Sequence, residues 1–399
     1  MRLAVFVSPH GFGHAARSAA VLAALAEQEP ALEVTLWTTL PRWFFAESLE
    51  FPFNYQDFAC DVGLVQTSAV EEDLAATVER LERFWTGAKS SQLRDLVSEL
   101  RAAHVEAVLC DISPLGLLAA REAGLPSILV ESFTWDWIYE GYLQAEARFA
   151  PWVERMRRIF ALADLRVQAE PVCAPLDEAL EHDVGPAAAA TVVAGTDPTV
   201  FPLTESLSVV RRGAVVRVPP IARRPRSTPA EVRSRLGIAP GRALALVSFG
   251  GVDSPLAALT ACARAAGVDF VVPGGAASEE RRGNVVLLPH HSPVHHPDLV
   301  AAADVVVGKL GYSTVAEAFA AGTRYAFVPR PRFRESALLA RFVRRRLPCV
   351  ELAAAELASG DWVERLPGLL AAPRPAPGAA DGAEAAARAM RSFLAARAR

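Results

Sequence analysis

The stretch from Asp304 to Ser336, DVVVGKLGYSTVAEAFAAGTRYAFVPRPRFRES, restricts the fold more than any other part of the chain. Val305-Val306-Val307 is apolar without alternation, the pattern of a short strand covered on both faces in a parallel sheet. Gly308 and Gly311 break that run. Thr314 to Ala321 then reads as a helix stopped at Gly322, and Ala326-Phe327-Val328 as a second strand ended by Pro329. A strand, a glycine-bearing turn and a helix N-terminus together form an anion site, because the N–H groups of Tyr312, Ser313 and Thr314 have no partner inside the helix. Lys309 adds a full positive charge at the same place. The chain holds 41 Lys+Arg, yet only Lys89 and Lys309 are lysine. A compact ammonium beside a helix N-terminus suits a diphosphate. The bland alternative is a solvated cation at a strand end.

The N-terminus repeats the arrangement. Arg2–Ser8 is a buried strand, Pro9-His10-Gly11-Phe12-Gly13 a turn, and His14–Glu27 an alanine-rich helix. This opening belongs to a doubly wound α/β sheet, whose ligands lie beyond the carboxyl ends of the strands. Further strands are expected at Leu32–Thr38, Val105–Cys110, Ser127–Val130 and Leu165–Gln168, with a long amphipathic helical region from Glu71 to His104 broken near Gly87. These elements form a first domain over 1–170. Residues 171–228, interrupted by Pro, Ala and Gly, read as a short strand pair and an interdomain linker. A second domain over 229–375 opens with the helix Pro229–Leu236 and the strand Ala243–Ser248. The turn Phe249-Gly250-Gly251 and strands Asp269–Val272 and Asn284–Leu288 follow. Residues 376–399 hold a Pro/Gly-rich linker and a last helix, Ala383–Arg397.

Several side chains suit chemistry at the strand ends. His14 at a helix start is a candidate base, with a cap or packed edge residue as the bland alternative; His10 serves turn support or substrate contact. Arg17, one turn later, faces an anion or, by preference, solvent. Asp111 ends a strand on the ligand side of the sheet. There it can fix a histidine tautomer and stabilise an imidazolium, or cap the helix that starts at Pro114. Glu131-Ser132-Phe133-Thr134-Trp135-Asp136-Trp137-Ile138-Tyr139 places aromatics and acids together, which serves a sugar pocket or a core. Trp43-Phe44-Phe45 is a core cluster or an acceptor-side wall. His290, His291, His295 and His296 lack metal-site spacing and are assigned to the cleft edge.

Composition excludes several classes. A net charge of −4 gives no reason to expect nucleic-acid binding. Five scattered cysteines fit a reducing cytoplasm, and neither a signal peptide nor a transmembrane run is expected. Arg341, Arg344, Arg345 and Arg346 form a basic face that is solvated or weakly touches a membrane surface.

Gly308-Lys309-Leu310-Gly311-Tyr312-Ser313-Thr314-Val315-Ala316-Glu317-Ala318 resembles the donor box of GT-B glycosyltransferases, including UDP-glycosyltransferases and the MurG-type family. The chain is similar above all to the N-terminal, glycosyltransferase-like half of plant-type L-arabinokinases, which share the "GKxGYxTVxEA", "HGFGHAxR" and "WDWIY" wording. The resemblance implies two Rossmann-like domains facing across a cleft, with a C-terminal helix crossing back. It implies a nucleotide diphosphate sugar, UDP-linked in the parent families, as co-substrate, a hydroxyl acceptor, inversion, and no metal or resident cofactor. By that likeness His14 is the base and Asp111 its partner. Lys309, Gly311, Tyr312, Ser313, Thr314 and the Gly250-Gly251 turn face the diphosphate. Leu288 and His290 lie by the nucleotide base, Glu317 takes the ribose, and Glu335 grips the donor sugar, where Ser336 departs from the usual Gln. His10, Gly11, Phe12, Gly13, Trp135 and Asp136 fall on the acceptor side. A sugar-nucleotide epimerase or hydrolase and a non-catalytic binding module are the alternatives on the same fold.

Overall fold

The computed structural model describes residues 1–68, 71–86, 89–173, 213–249 and 260–397. The first half contains strands β1 (Arg2–Val7), β2 (Glu33–Thr38), β3 (Asn54–Asp57), β4 (Val65–Ser68), β5 (Glu71–Asp73), β6 (Ala107–Asp111), β7 (Ser127–Glu131), β8 (Leu165–Ala169) and β9 (Ala214–Val218). Seven of them form one sheet in the order β3-β2-β1-β6-β7-β8-β9, every pair parallel, while β4 and β5 make a separate hairpin. Both faces are covered, as the unbroken apolar strands required. Leu3, Val5 and Val7 of β1 pack toward the helix α1 (Phe12–Gln28), and Ala4 and Phe6 pack toward the opposite layer.

The second half contains β10 (Ala243–Ser248), β11 (Val268–Pro273), β12 (Glu280–Arg282), β13 (Val285–Leu288), β14 (Val305–Lys309), β15 (Arg324–Val328) and β16 (Cys349–Glu351). Their order is β12-β13-β11-β10-β14-β15-β16, parallel except for the edge strand β12. Gly308 is required in β14: a Cβ there would lie 1.9 Å from the Ser248 carbonyl oxygen of β10. The helix expected after Gly311 spans Tyr312–Ala321 and ends at Gly322.

The C-terminal helix Gly382–Arg397 returns to the first sheet. Ala383, Ala386, Ala387 and Met390 join the same apolar cluster as Ala15, Ala16 and Ala19 of α1, so alanine on both helices lets them approach closely. One boundary differs from expectation. The first sheet does not end near residue 170, because β9 pairs with β8 in register Leu165 to Ala214 and adds a seventh strand. Among the described residues, the chain crosses to the second domain after Val218.

Contacts close the two domains against each other. Arg332 pairs with Glu72 at 2.9 Å and Arg334 with Glu140 at 3.0 Å. Arg334 also lies 4.2 Å from the Trp137 ring centroid, and the Cys173 thiol is 2.6 Å from the Tyr312 hydroxyl. Among the described residues no helix is long and apolar enough to cross a membrane.

Candidate active site

The carboxyl ends of both sheets open into one cleft of about 360 Å³. Two helices start at it, α1 behind Gly11 and Tyr312–Ala321 behind Gly311, and neither has a side-chain cap. Their first N–H groups are therefore available to a ligand. The two starts are close, since a Cβ on Gly13 would lie 3.7 Å from Ser313 Oγ.

On the first-domain side, His14 is buried at the start of α1 and its Nδ1 lies 2.7 Å from Asp111 Oδ1. An ionised carboxylate only accepts, so Nδ1 is the donor, and in the neutral ring Nε2 then carries the lone pair. Asp111 is not the cap of the following helix; Ser113 is, accepting from the Gly116 N–H. Arg17 is not in solvent. It is 5% exposed and forks onto the same carboxylate, Nη2 to Oδ1 at 2.6 Å and Nε to Oδ2 at 2.8 Å. Burial alone would raise the Asp111 pKa, but Arg17 and then His14 hold it below the ordinary carboxylate value.

His10 lines the cleft with its Nδ1 accepting from the Leu64 N–H at 3.3 Å. It packs tightly over Gly63, where a Cβ would sit 2.7 Å from Nδ1, and Gly63 has φ +67. Burial, then His14, Lys309 and Arg330, push the His10 pKa down to about 3, so it is neutral. Phe12, Trp43, Phe44, Phe133 and Trp135 complete an aromatic wall. Trp135 turns its N–H inward to Asp61 at 3.0 Å. Asp136 does not line the cleft; it is largely buried beside it, which pushes its pKa up.

On the second-domain side Lys309, Gly311, Tyr312, Ser313, Thr314, His290 and Glu335 all line the cleft. Burial first, then Arg330, lower the Lys309 pKa to about 8. Arg330 also lines the cleft, though no local sequence signal marks it. It is 5% exposed, 4.0 Å from the Phe333 centroid and 3.3 Å from Glu335 Oε1, and its Nε has no hydrogen-bond partner.

Two expected donor contacts fall elsewhere. Leu288 is fully buried in the second-domain core, because its position on β13 points it into the helix layer. Glu317 does not line the cleft: its two oxygens are held by Arg223 Nε at 2.9 Å and His296 Nδ1 at 2.8 Å. Burial opposes its ionisation, but Arg223 and His296 bring its pKa down to about 2. Gly250 and Gly251 lie outside the described residues.

The four neighbouring histidines separate. His290 edges the cleft, His291 stacks on Trp43 and pairs with Glu47 at 3.1 Å, and His296 holds Glu317. Both His295 ring nitrogens are buried without a hydrogen-bond partner.

Two parallel, doubly wound sheets facing across a cleft, with a last helix returning to the first, define the GT-B fold. Solved glycosyltransferases share it. Arabidopsis thaliana UGT89C1 complexed with quercetin has a TM-score of 0.58 and 16% identity, covering 99% of this chain and 94% of that one. Phytolacca americana UGT2 complexed with UDP-2fluoro-glucose and pterostilbene gives 0.55 and 16%, covering 99% and 94%. Spinosyn forosaminyltransferase SpnP gives 0.56 and 15%, covering 99% and 95%. Among curated proteins, an L-arabinokinase of Arabidopsis thaliana is 26% identical over 367 residues, which is 91% of this chain and 31% of that protein. The chain thus spans about a third of that relative's length. No protein-family model matches it.

Proposed function

We propose that the protein transfers a sugar from a nucleotide diphosphate donor to a hydroxyl acceptor, with inversion at the anomeric carbon. One observation carries this reading: a histidine held by a buried carboxylate and a lysine beside an uncapped helix N-terminus face the same cleft. In this reading His14 Nε2 takes the acceptor's hydroxyl proton as the oxygen bonds to the anomeric carbon. The bond to the diphosphate breaks on the opposite face, and its electron pair leaves on the phosphate oxygen. Lys309, Arg330 and the N–H groups at Tyr312–Thr314 stabilise that oxygen, where the largest charge develops. The aromatic wall around Phe12, Trp43 and Trp135 takes the acceptor. Likeness to UDP-bound neighbours supports a uridine nucleotide.

The test is release of nucleoside diphosphate from a panel of sugar nucleotides with mixed hydroxyl acceptors, the product's anomeric configuration being read by proton NMR. His14→Ala is expected to abolish transfer while leaving donor binding intact. Undiminished transfer by that variant would remove the assigned base. Free sugar or an epimer formed from donor alone, at turnover rates, would replace transfer with hydrolysis or epimerisation.

A further inference from the structure

The buried ion pair beside His14 carries an inference that rests on the proposed role of His14. We propose that Arg17 is a positioning residue that acts through Asp111: its forked ion pair neutralises the carboxylate, so that Asp111 orients the His14 ring without converting it to an imidazolium.

The geometry saturates Asp111. Oδ1 accepts from His14 Nδ1 at 2.7 Å and Arg17 Nη2 at 2.6 Å, while Oδ2 accepts from Arg17 Nε at 2.8 Å and Ser18 Oγ at 3.2 Å. Asp111 is 1% exposed, so no water dilutes its field. A bare carboxylate buried against an imidazole favours the protonated ring, which cannot act as a base. A guanidinium forked onto that carboxylate cancels most of this effect and fixes the carboxylate plane through two N–H···O bonds. Arg17 is itself anchored: Nη1 donates to Ser132 Oγ at 3.2 Å, and Ser132 donates to the Ala169 carbonyl at 2.9 Å. The dyad is thereby tied to the loop that carries Phe133 and Trp135.

Among the described residues no other guanidinium or ammonium contacts the Asp111 carboxylate, and Asp61, whose charge also reaches Asp111, is held by the Trp135 N–H at 3.0 Å. His14 faces Arg17 from α1, Asp111 from the end of β6, and the neutral His10 ring at 6.4 Å from the turn before α1. From the segment after β7 come Phe133 at 5.9 Å and, at the start of the next helix, Trp135 at 6.3 Å, both uncharged. Across the cleft stand Lys309, Tyr312, Arg330 and Glu335, the last two paired with each other. Glu131, behind Arg17, is taken by Arg166 at 2.7 Å.

The test is the titration of His14 by NMR in the full chain carrying labelled histidine, with its resonance assigned by its loss in His14→Gln. It requires no turnover, so it stands or falls separately from the transferase reading. Arg17→Gln is expected to move the His14 midpoint upward by about one pH unit or more, and Arg17→Lys by less than half as much. Asp111→Asn, which leaves Arg17 uncompensated 3.4 Å from His14 Nδ1, is expected to move it downward. The double variant Arg17→Gln/Asp111→Asn buries no lone charge and decides the matter even if the single variants misfold. It is expected to return to within about half a unit of wild type. A folded Arg17→Gln protein with an unchanged midpoint, or a double variant that titrates like Asp111→Asn, would overturn the proposal and leave Arg17 as a structural tie to Ser132.

Discussion

Replacing Lys309 by methionine separates what this lysine does for the fold from what it does for a ligand. Methionine keeps an unbranched chain of similar reach and removes the charge. Among the described residues no carboxylate lies within 4.0 Å of the Lys309 ammonium. Burial, then repulsion from Arg330, lower its pKa from 10.5 to about 8, with Glu335 opposing. At about 1.4 kcal/mol per tenfold change in a proton equilibrium, holding the charge at neutral pH costs about 3 kcal/mol. Residual solvent contact discounts that to about 2 kcal/mol. The folded pKa lies below the unfolded one, so between about 8 and 10.5 the unfolded chain binds more protons. The cost is therefore complete below about pH 8 and fades as pH rises toward 10.5. Lys309→Met should then be more stable than wild type by about 2 kcal/mol at pH 7, or about 4–8 °C in Tm. That advantage should shrink toward zero at about pH 10. The same variant should lose affinity for nucleoside diphosphates. Urea unfolding at both pH values, with diphosphate titration at pH 7, checks both halves. A variant no more stable at pH 7, or equally advantaged at both pH values, would show that the buried ammonium carries no such cost.

Asp61 gives a second stability test. Burial outweighs its hydrogen bonds from Trp135 and Ser8 and pushes its pKa up to about 7. Its folded value exceeds the unfolded one, so wild-type stability falls as pH rises from about 4 to about 7. Asp61→Asn can still accept from Trp135 and should gain about 2–4 kcal/mol at pH 8 and little at pH 4, as read by urea midpoints. Arg223→Ala leaves Glu317 buried with only His296 and should cost about 3 kcal/mol at pH 7. Because Glu317 sits near 2 when folded, that loss should shrink as pH falls from about 4.5 toward 2, checked by denaturation at several pH values. If Lys309, Arg330 and the helix N-terminus carry the leaving charge, chelation by EDTA should leave the transfer rate within about twofold, and restoration by a divalent ion after loss would contradict this.

The architecture was legible because buried parallel strands carry an unmistakable pattern. Val305-Val306-Val307 and Leu3-Ala4-Val5-Phe6-Val7 are apolar on both faces, and each ends in a glycine-bearing turn before a helix. Strand ends in such sheets converge, which placed His14, Asp111 and Lys309 on the ligand side without knowledge of their contacts. What stayed hidden depends on partners far away in the chain. Arg17 shows only helical spacing from His14, and its burial follows from Asp111, 94 residues on. Glu317 matches a ribose-binding position, but Arg223, also 94 residues distant and arriving from the interdomain crossing, occupies its carboxylate. Arg330 sits in an arginine-rich run where nothing local distinguishes it from the exposed Arg332. Asp136 and Leu288 show the converse: one step along a helix or strand turns a side chain away from the cleft.

The proposed transfer requires that this cleft hold a nucleotide diphosphate sugar. Thermal unfolding of the wild-type chain against a panel of nucleoside diphosphates and their sugars tests it most directly. At about 100 times its dissociation constant a true donor stabilises by about 2.7 kcal/mol, a shift such a scan resolves. That shift is expected for one sugar nucleotide, reduced for the free diphosphate and absent in Lys309→Met. No shift with any member of the panel, or an equal shift in the methionine variant, would contradict it.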